Sequence, residues 1–181
     1  MTQTAELTGT YKVDPAHTRI GFVVRHAMVS KVRGTFNEFD GSGFFDADNP
    51  AASKLELVIK AASIDTGNTD RDNHLRSNDF LDMENHPEIR FVSTGVTQTG
   101  ESSYRVSGDL NIRGVTKPVE VDFELSGPVK DPYGNVRIGL EGRGEINRKD
   151  FGVSFNAPLE AGGVLIGDKV NLEFDVEAIK V

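Results

Sequence analysis

The chain has 181 residues, 37% hydrophobic and 27% charged, with 28 acidic against 20 basic side chains and a formal charge of -8. That balance fits one globular domain over residues 1–181, too apolar for a disordered chain, whose field opposes nucleic acid and anionic lipid surfaces as partners. The absence of cysteine removes disulfides, thiolate nucleophiles and Cys-ligated zinc. No apolar run approaches the ~18 residues of a transmembrane helix, and the opening Met-Thr-Gln-Thr-Ala-Glu-Leu lacks a secretory signal's basic start and apolar stretch, so a cytoplasmic location is expected.

The dominant periodicity is two. Ile20, Phe22 and Val24 alternate with Arg19, Gly21 and Arg25, the pattern of a half-buried strand. Weaker versions surround Tyr11, Phe36 and Phe44. Leu55, Leu57 and Ile59 oppose Lys54, Glu56 and Lys60, although Val58 interrupts the polar side. Thr69 followed by Asp72 has the spacing of a capping box and predicts a short polar helix around residues 70–78. Phe91 marks another strand, and Tyr104, Val106, Leu110 and Ile112 share one parity in the next. Val119, Val121, Phe123 and Leu125 against Glu120, Asp122, Glu124 and Ser126 make the cleanest alternation in the chain. A weaker segment near Leu140 precedes Val170, Leu172, Phe174 and Val176, which repeat the pattern.

Turn residues separate these runs at Asp40-Gly41, Thr99-Gly100, Arg113-Gly114, Asp131-Pro132-Tyr133-Gly134 and Gly162-Gly163. About eight to ten strands, each with one apolar face and no long helix to cover it, imply an all-β barrel or sandwich. A barrel removes the edges that a sandwich must protect, and with about eight strands it is either filled by side chains or holds one small ligand. Periodicity leaves that choice open.

The four histidines, His17, His26, His74 and His86, lack the short pairings that supply metal ligands, so no metal is expected. Two polar stretches punctuate the apolar runs: Asp70-Arg71-Asp72-Asn73-His74-Leu75 and Asn147-Arg148-Lys149-Asp150-Phe151-Gly152. An enzyme would pair an Asp with His74 or His17 and stabilise an anion with Arg71 or Arg148. The structural alternative caps the helix with carboxylates and ties loops across a barrel end with arginines; it is favoured because nothing marks a nucleophile.

Residues along nearly the whole chain resemble the YceI-like family of bacterial, lipocalin-like polyisoprenoid-binding proteins. The resemblance rests on Val13-Asp14-Pro15-Ala16-His17-Thr18, Gly34-Thr35-Phe36, Arg71-Asp72-Asn73-His74-Leu75, Gly108 to Lys117, Asn147-Arg148 with Asp150-Phe151-Gly152, and Gly167-Asp168. It implies an extended eight-stranded antiparallel barrel with a long apolar tunnel. No cofactor or catalytic residue follows from it; a polyprenyl lipid or isoprenoid quinone is the expected ligand, and a homodimer is a possible assembly. By parity, the tunnel positions are Phe22, Val24, Phe36, Phe44, Leu57, Ile59, Phe91, Leu110, Val121, Phe123, Leu140, Leu172 and Phe174. Leu75, Phe80 and Phe155, with Leu81, are expected as an apolar lid at a barrel mouth. His17, Arg71, Asp72, His74, Arg148 and Asp150 are expected as polar ties or neighbours of a ligand head group.

Overall fold

The computed structural model describes residues 6–157 and 165–181. The described strands are β1 (Gly9–Val13), β2 (Arg19–His26), β3 (Ser30–Phe36), β4 (Phe39–Phe45), β5 (Lys54–Lys60) and β6 (Ile64–Asp65). After helix α1 (Thr69–Arg76) come β7 (Glu88–Gln98), β8 (Ser103–Ile112), β9 (Val115–Lys130), β10 (Val136–Asn147) and β11 (Ile166–Lys180).

The eleven segments form eight staves because the first six are halves of three bent strands. β1 pairs with the end of β11 and β2 with its beginning, on either side of the turn Pro15–His17. Likewise β4 and β3 pair with β1 and β2, and β5 and β6 with β4 and β3. Every neighbouring pair is antiparallel, and β11 returns to β1 and β2, so the meander closes into a barrel. Closure gives the central backbone groups ladder partners and leaves no long free edge.

Two ends of the barrel are packed differently. Around α1, the buried Phe80, Ile89, Phe151 and Val153 form a plug joined by Leu75 and Leu81. Towards the opposite end, Tyr11, Ile138 and Ala178 pack with Leu7 and Phe45, and Val96, Tyr104 and Val106 form an adjoining cluster.

The helix begins one residue earlier than its predicted range, and its cap differs from the capping-box reading. Asn68, with extended backbone, accepts a bond from Arg71 N at 3.0 Å, so Thr69 is already inside the first turn. Ser77 returns to extended backbone and ends the helix, its N–H and hydroxyl both bonding the His74 carbonyl. Asp40-Gly41 is not a turn; both lie inside β4. Gly41 is needed for space, since a Cβ there would come within 2.8 Å of the Val13 side chain. The predicted turn at Arg113-Gly114 is present with both φ values positive, whereas Gly162-Gly163 lies outside the described residues.

Candidate apolar ligand site

Inward parity on all eight staves leaves a cavity along the barrel of about 330 Å³, at the lower end of the usual size of ligand pockets. It runs from Tyr11, Ile138 and Ala178 near one end to Val24, Ile166 and Phe151 near the other. Its surface is almost wholly carbon, and burial there pushes the Tyr11 and Tyr104 phenols above their ordinary range.

Glycine placement helps keep this interior open. Phe22 stands opposite Gly34 across the β2–β3 ladder, and Phe123 stands opposite Gly142 across β9–β10. A Cβ at Gly34 would lie 2.3 Å from Phe22 Cζ, and one at Gly142 would lie 2.3 Å from Phe123 Cε1. Each ring therefore lies against the wall over a bare backbone. The same relation holds for Phe91 over Gly108, where the closest approach would be 2.4 Å. A larger neighbour would turn these rings across the lumen.

Of the expected tunnel and lid positions, all but Phe155 border the cavity. Phe155 instead packs edge-on to Phe80 and His74, with ring centroids 5.2 and 4.9 Å apart. Its backbone is drawn aside because Arg148 Nη1 donates to the Phe155 and Val153 carbonyls. Phe44 also departs from expectation. Tyr11 pairs with Gly43, which gives Gly43 and Phe45 the inner parity and leaves Phe44 41% exposed at the cavity margin. Phe45 packs inward, its ring 5.4 Å from Tyr104. Tyr11, Tyr104, Val106 and Ile138 are lining residues that the tunnel expectation omitted, although the parity of Tyr104 and Val106 with Leu110 already pointed to them.

The polar positions do not converge on one centre. Asp72, the buried residue of α1, accepts from Thr66 N at 2.9 Å and Thr66 Oγ1 at 2.5 Å, while Arg71 donates to Thr66 Oγ1 and to its carbonyl. His74 pairs with Asp79 at 2.8 Å, not with Asp72. Arg148, 5% exposed, donates to the carbonyls of Gly167, Val153, Phe155 and Ile166, and its burial pulls its pKa below the usual arginine range. Asp150 is exposed beside it in sequence.

His17 lies elsewhere, with Nδ1 2.8 Å from Asp14 and 3.5 Å from Glu177. Asp14, His17 and Glu177 could together offer three metal-ligand atoms, a grouping that histidine spacing did not reveal. Arg137 Nη1 already donates to the same Asp14 and Glu177 oxygens, at 2.9 and 2.8 Å, and supplies the local positive charge. Arg137 Nε also holds Asp131 at 2.8 Å, which lowers that carboxyl to about 2. These groups act as a charged clasp between β10, β11 and the β1–β2 bend.

The family model for the YceI-like domain matches residues 11–178. The chain belongs to the YceI-like family. It is 48% identical over 155 residues to a UPF0312 protein of Photorhabdus laumondii, covering 84% of this chain and 79% of that protein. A UPF0312 protein of Azotobacter vinelandii is 44% identical over 137 residues, covering 76% and 71%. The solved YceI protein of Campylobacter jejuni has 31% identity and a TM-score of 0.72 over 87% of this chain and 90% of that one. BcnA of Burkholderia cenocepacia shares the fold at 24% identity, TM-score 0.81, over 91% and 98%. So does a Saccharophagus degradans domain described as polyisoprenoid-binding, at 16% identity and TM-score 0.70 over 94% and 98%. Among the described residues, no helix is long and apolar enough to cross a membrane.

Proposed function

We propose that this YceI-like barrel binds the chain of a long isoprenoid, such as that of a polyprenyl quinone or phenol, and stores or carries it without chemical change. The carrying observation is the long carbon-lined cavity, whose rings are set back over Gly34, Gly108 and Gly142. The Saccharophagus domain, described as polyisoprenoid-binding, adds support for the ligand class. Burying one CH₂ contributes about 0.8 kcal/mol, so roughly twenty enclosed carbons would give a gross ~16 kcal/mol before the cost of ordering the chain. Affinity then comes from the tail, and selectivity from length and width.

A carrier also agrees with the polar groups. Asp72 is occupied by Thr66, His74 by Asp79 and Arg148 by four carbonyls, so each has a structural task. The test is mass spectrometry of an organic extract from protein purified from its native host, with an equally purified unrelated protein as control. A stoichiometric prenyl lipid is expected; an empty extract from folded protein overturns the reading.

A further inference from the structure

The tip of the β2–β3 hairpin departs from the rest of the surface in three ways. Its turn, His26 to Val29, is closed by Val29 N donating to the His26 carbonyl at 3.1 Å. Both central residues, Ala27 and Met28, have positive φ, at 51° and 63°. Such turns favour Asn-Gly, because glycine has no Cβ to clash and asparagine's short amide bonds locally, whereas most other side chains are strained in that region. Here the strained positions and the next one present apolar groups: Met28 is 61% exposed and Val29 81% exposed. Among the described residues, neither belongs to a packed core cluster.

The second departure is charge. Residues 15–37 hold four of the chain's 20 basic residues and none of its 28 acidic ones. Arg25 and Lys31 face each other across the ladder just behind the tip, both exposed, and neither has an ion-pair partner among the described residues. Arg33 lies one step further back, paired with Glu173 at 3.2 Å. The chain's net charge opposes an anionic surface at long range, but at physiological salt charges more than about 8 Å away are largely screened. The tip therefore presents locally as cationic.

Position is the third. Val24, two residues before the turn residue His26 and about 7 Å along the strand, lines the cavity with Ile166 and Val170 of the adjoining strand.

From these observations we infer that the hairpin tip docks this protein onto an anionic lipid bilayer, with Met28 and Val29 entering the interfacial region and Arg25 and Lys31 meeting the acidic head groups. Two apolar side chains backed by a few basic ones give weak, reversible attachment, as an exchange protein needs. Docking by this end would set the Val24 end of the cavity near the membrane. The surface stands independently of what the cavity holds.

The test is co-sedimentation with vesicles of phosphatidylglycerol and phosphatidylcholine in equal parts, against vesicles of phosphatidylcholine alone. The wild-type protein is expected to partition onto the anionic vesicles and to be released by added salt. Replacing Ala27→Asn with Met28→Gly installs the favoured turn, so the fold is kept or strengthened, while partitioning falls at least tenfold. Lys31→Glu, which reverses one charge, lowers it about 25-fold. Wild-type protein that shows no preference for anionic vesicles, or an Asn-Gly variant that binds as well as wild type, overturns the proposal. A concentration-dependent dimer abolished by the Asn-Gly change, without vesicle binding, would assign the tip to a second copy and equally overturn it. Prenyl content of the Asn-Gly variant, measured by extraction, separates this outcome from failure of the carrier reading.

Discussion

Substituting Gly142→Ala tests whether glycine sets the width of the cavity. The new Cβ would lie 2.3 Å from Phe123 Cε1 and 2.4 Å from Cδ1, so the ring cannot stay where it is. Its route outward is closed by the β9–β10 ladder, and its remaining direction is into the lumen towards Phe174, whose ring centroid is 5.9 Å away. A ring displaced across the path excludes about three methylenes of a threaded chain. At about 0.8 kcal/mol each, this removes ~2.4 kcal/mol of binding, or roughly a 60-fold loss of affinity. Overpacking should also cost the empty protein about 1–3 kcal/mol. The assay is titration of a fluorescent prenyl quinone analogue, with circular dichroism to confirm folding. A second variant, Gly142→Ala with Phe123→Ala, removes the ring and should restore most of the loss. Unchanged affinity in folded Gly142→Ala, or no recovery in the double variant, would refute the reasoning.

Arg148→Met takes the guanidinium away from four carbonyls, of which Ile166 keeps Asn156 Nδ2 as a donor, and should destabilise the protein by about 3 kcal/mol. For a chain of this size that lowers Tm by roughly 6–12 °C; a shift within the error of a thermal melt would show that water replaces the guanidinium. Arg137→Gln opens the clasp on Asp14, Asp131 and Glu177. Because the folded-state pKa of Asp131 is depressed from 3.8 to about 2, and that of Asp14 is lowered too, their stabilisation is full above about pH 4 and is lost as pH falls towards 2. The Tm difference between wild type and Arg137→Gln should therefore be largest near neutral pH and shrink through that acid window; a difference that grows on acidification contradicts the assignment.

Period-two patterning made most of the barrel readable, because every stave has one face in the interior. Val121, Phe123, Leu172 and Phe174 are cavity residues for the reason their spacing suggested. Phe44 is misplaced by parity because β4 carries glycines at inner positions 41 and 43, so beyond Phe39 the strand shows two adjacent phenylalanines and no apolar alternation. Its parity is decided by the pairing of Tyr11 with Gly43, which no local window contains. Gly41 reads as a turn in the sequence because a glycine required for close approach looks like one required for φ. Phe155 has no periodic context; carbonyl bonds to Arg148 fix its place. The turn at Ala27-Met28 has no signature in the sequence, because neither residue type signals positive φ. The asparagine cap of α1 was hidden behind a threonine with better apparent spacing.

Closure by β11 has a consequence for how the molecule is made. Its residues join β10 on one side and β1 and β2 on the other, so the most distant parts of the sequence meet in the final seam. Contacts of such sequence separation form slowly, and during synthesis the β1–β2 stave and β10 wait as open edges until that strand emerges. No container exists before then. A ligand held in the interior would enter only after β11 has closed the wall, and the unfinished barrel is the stage most exposed to pairing with the wrong chain.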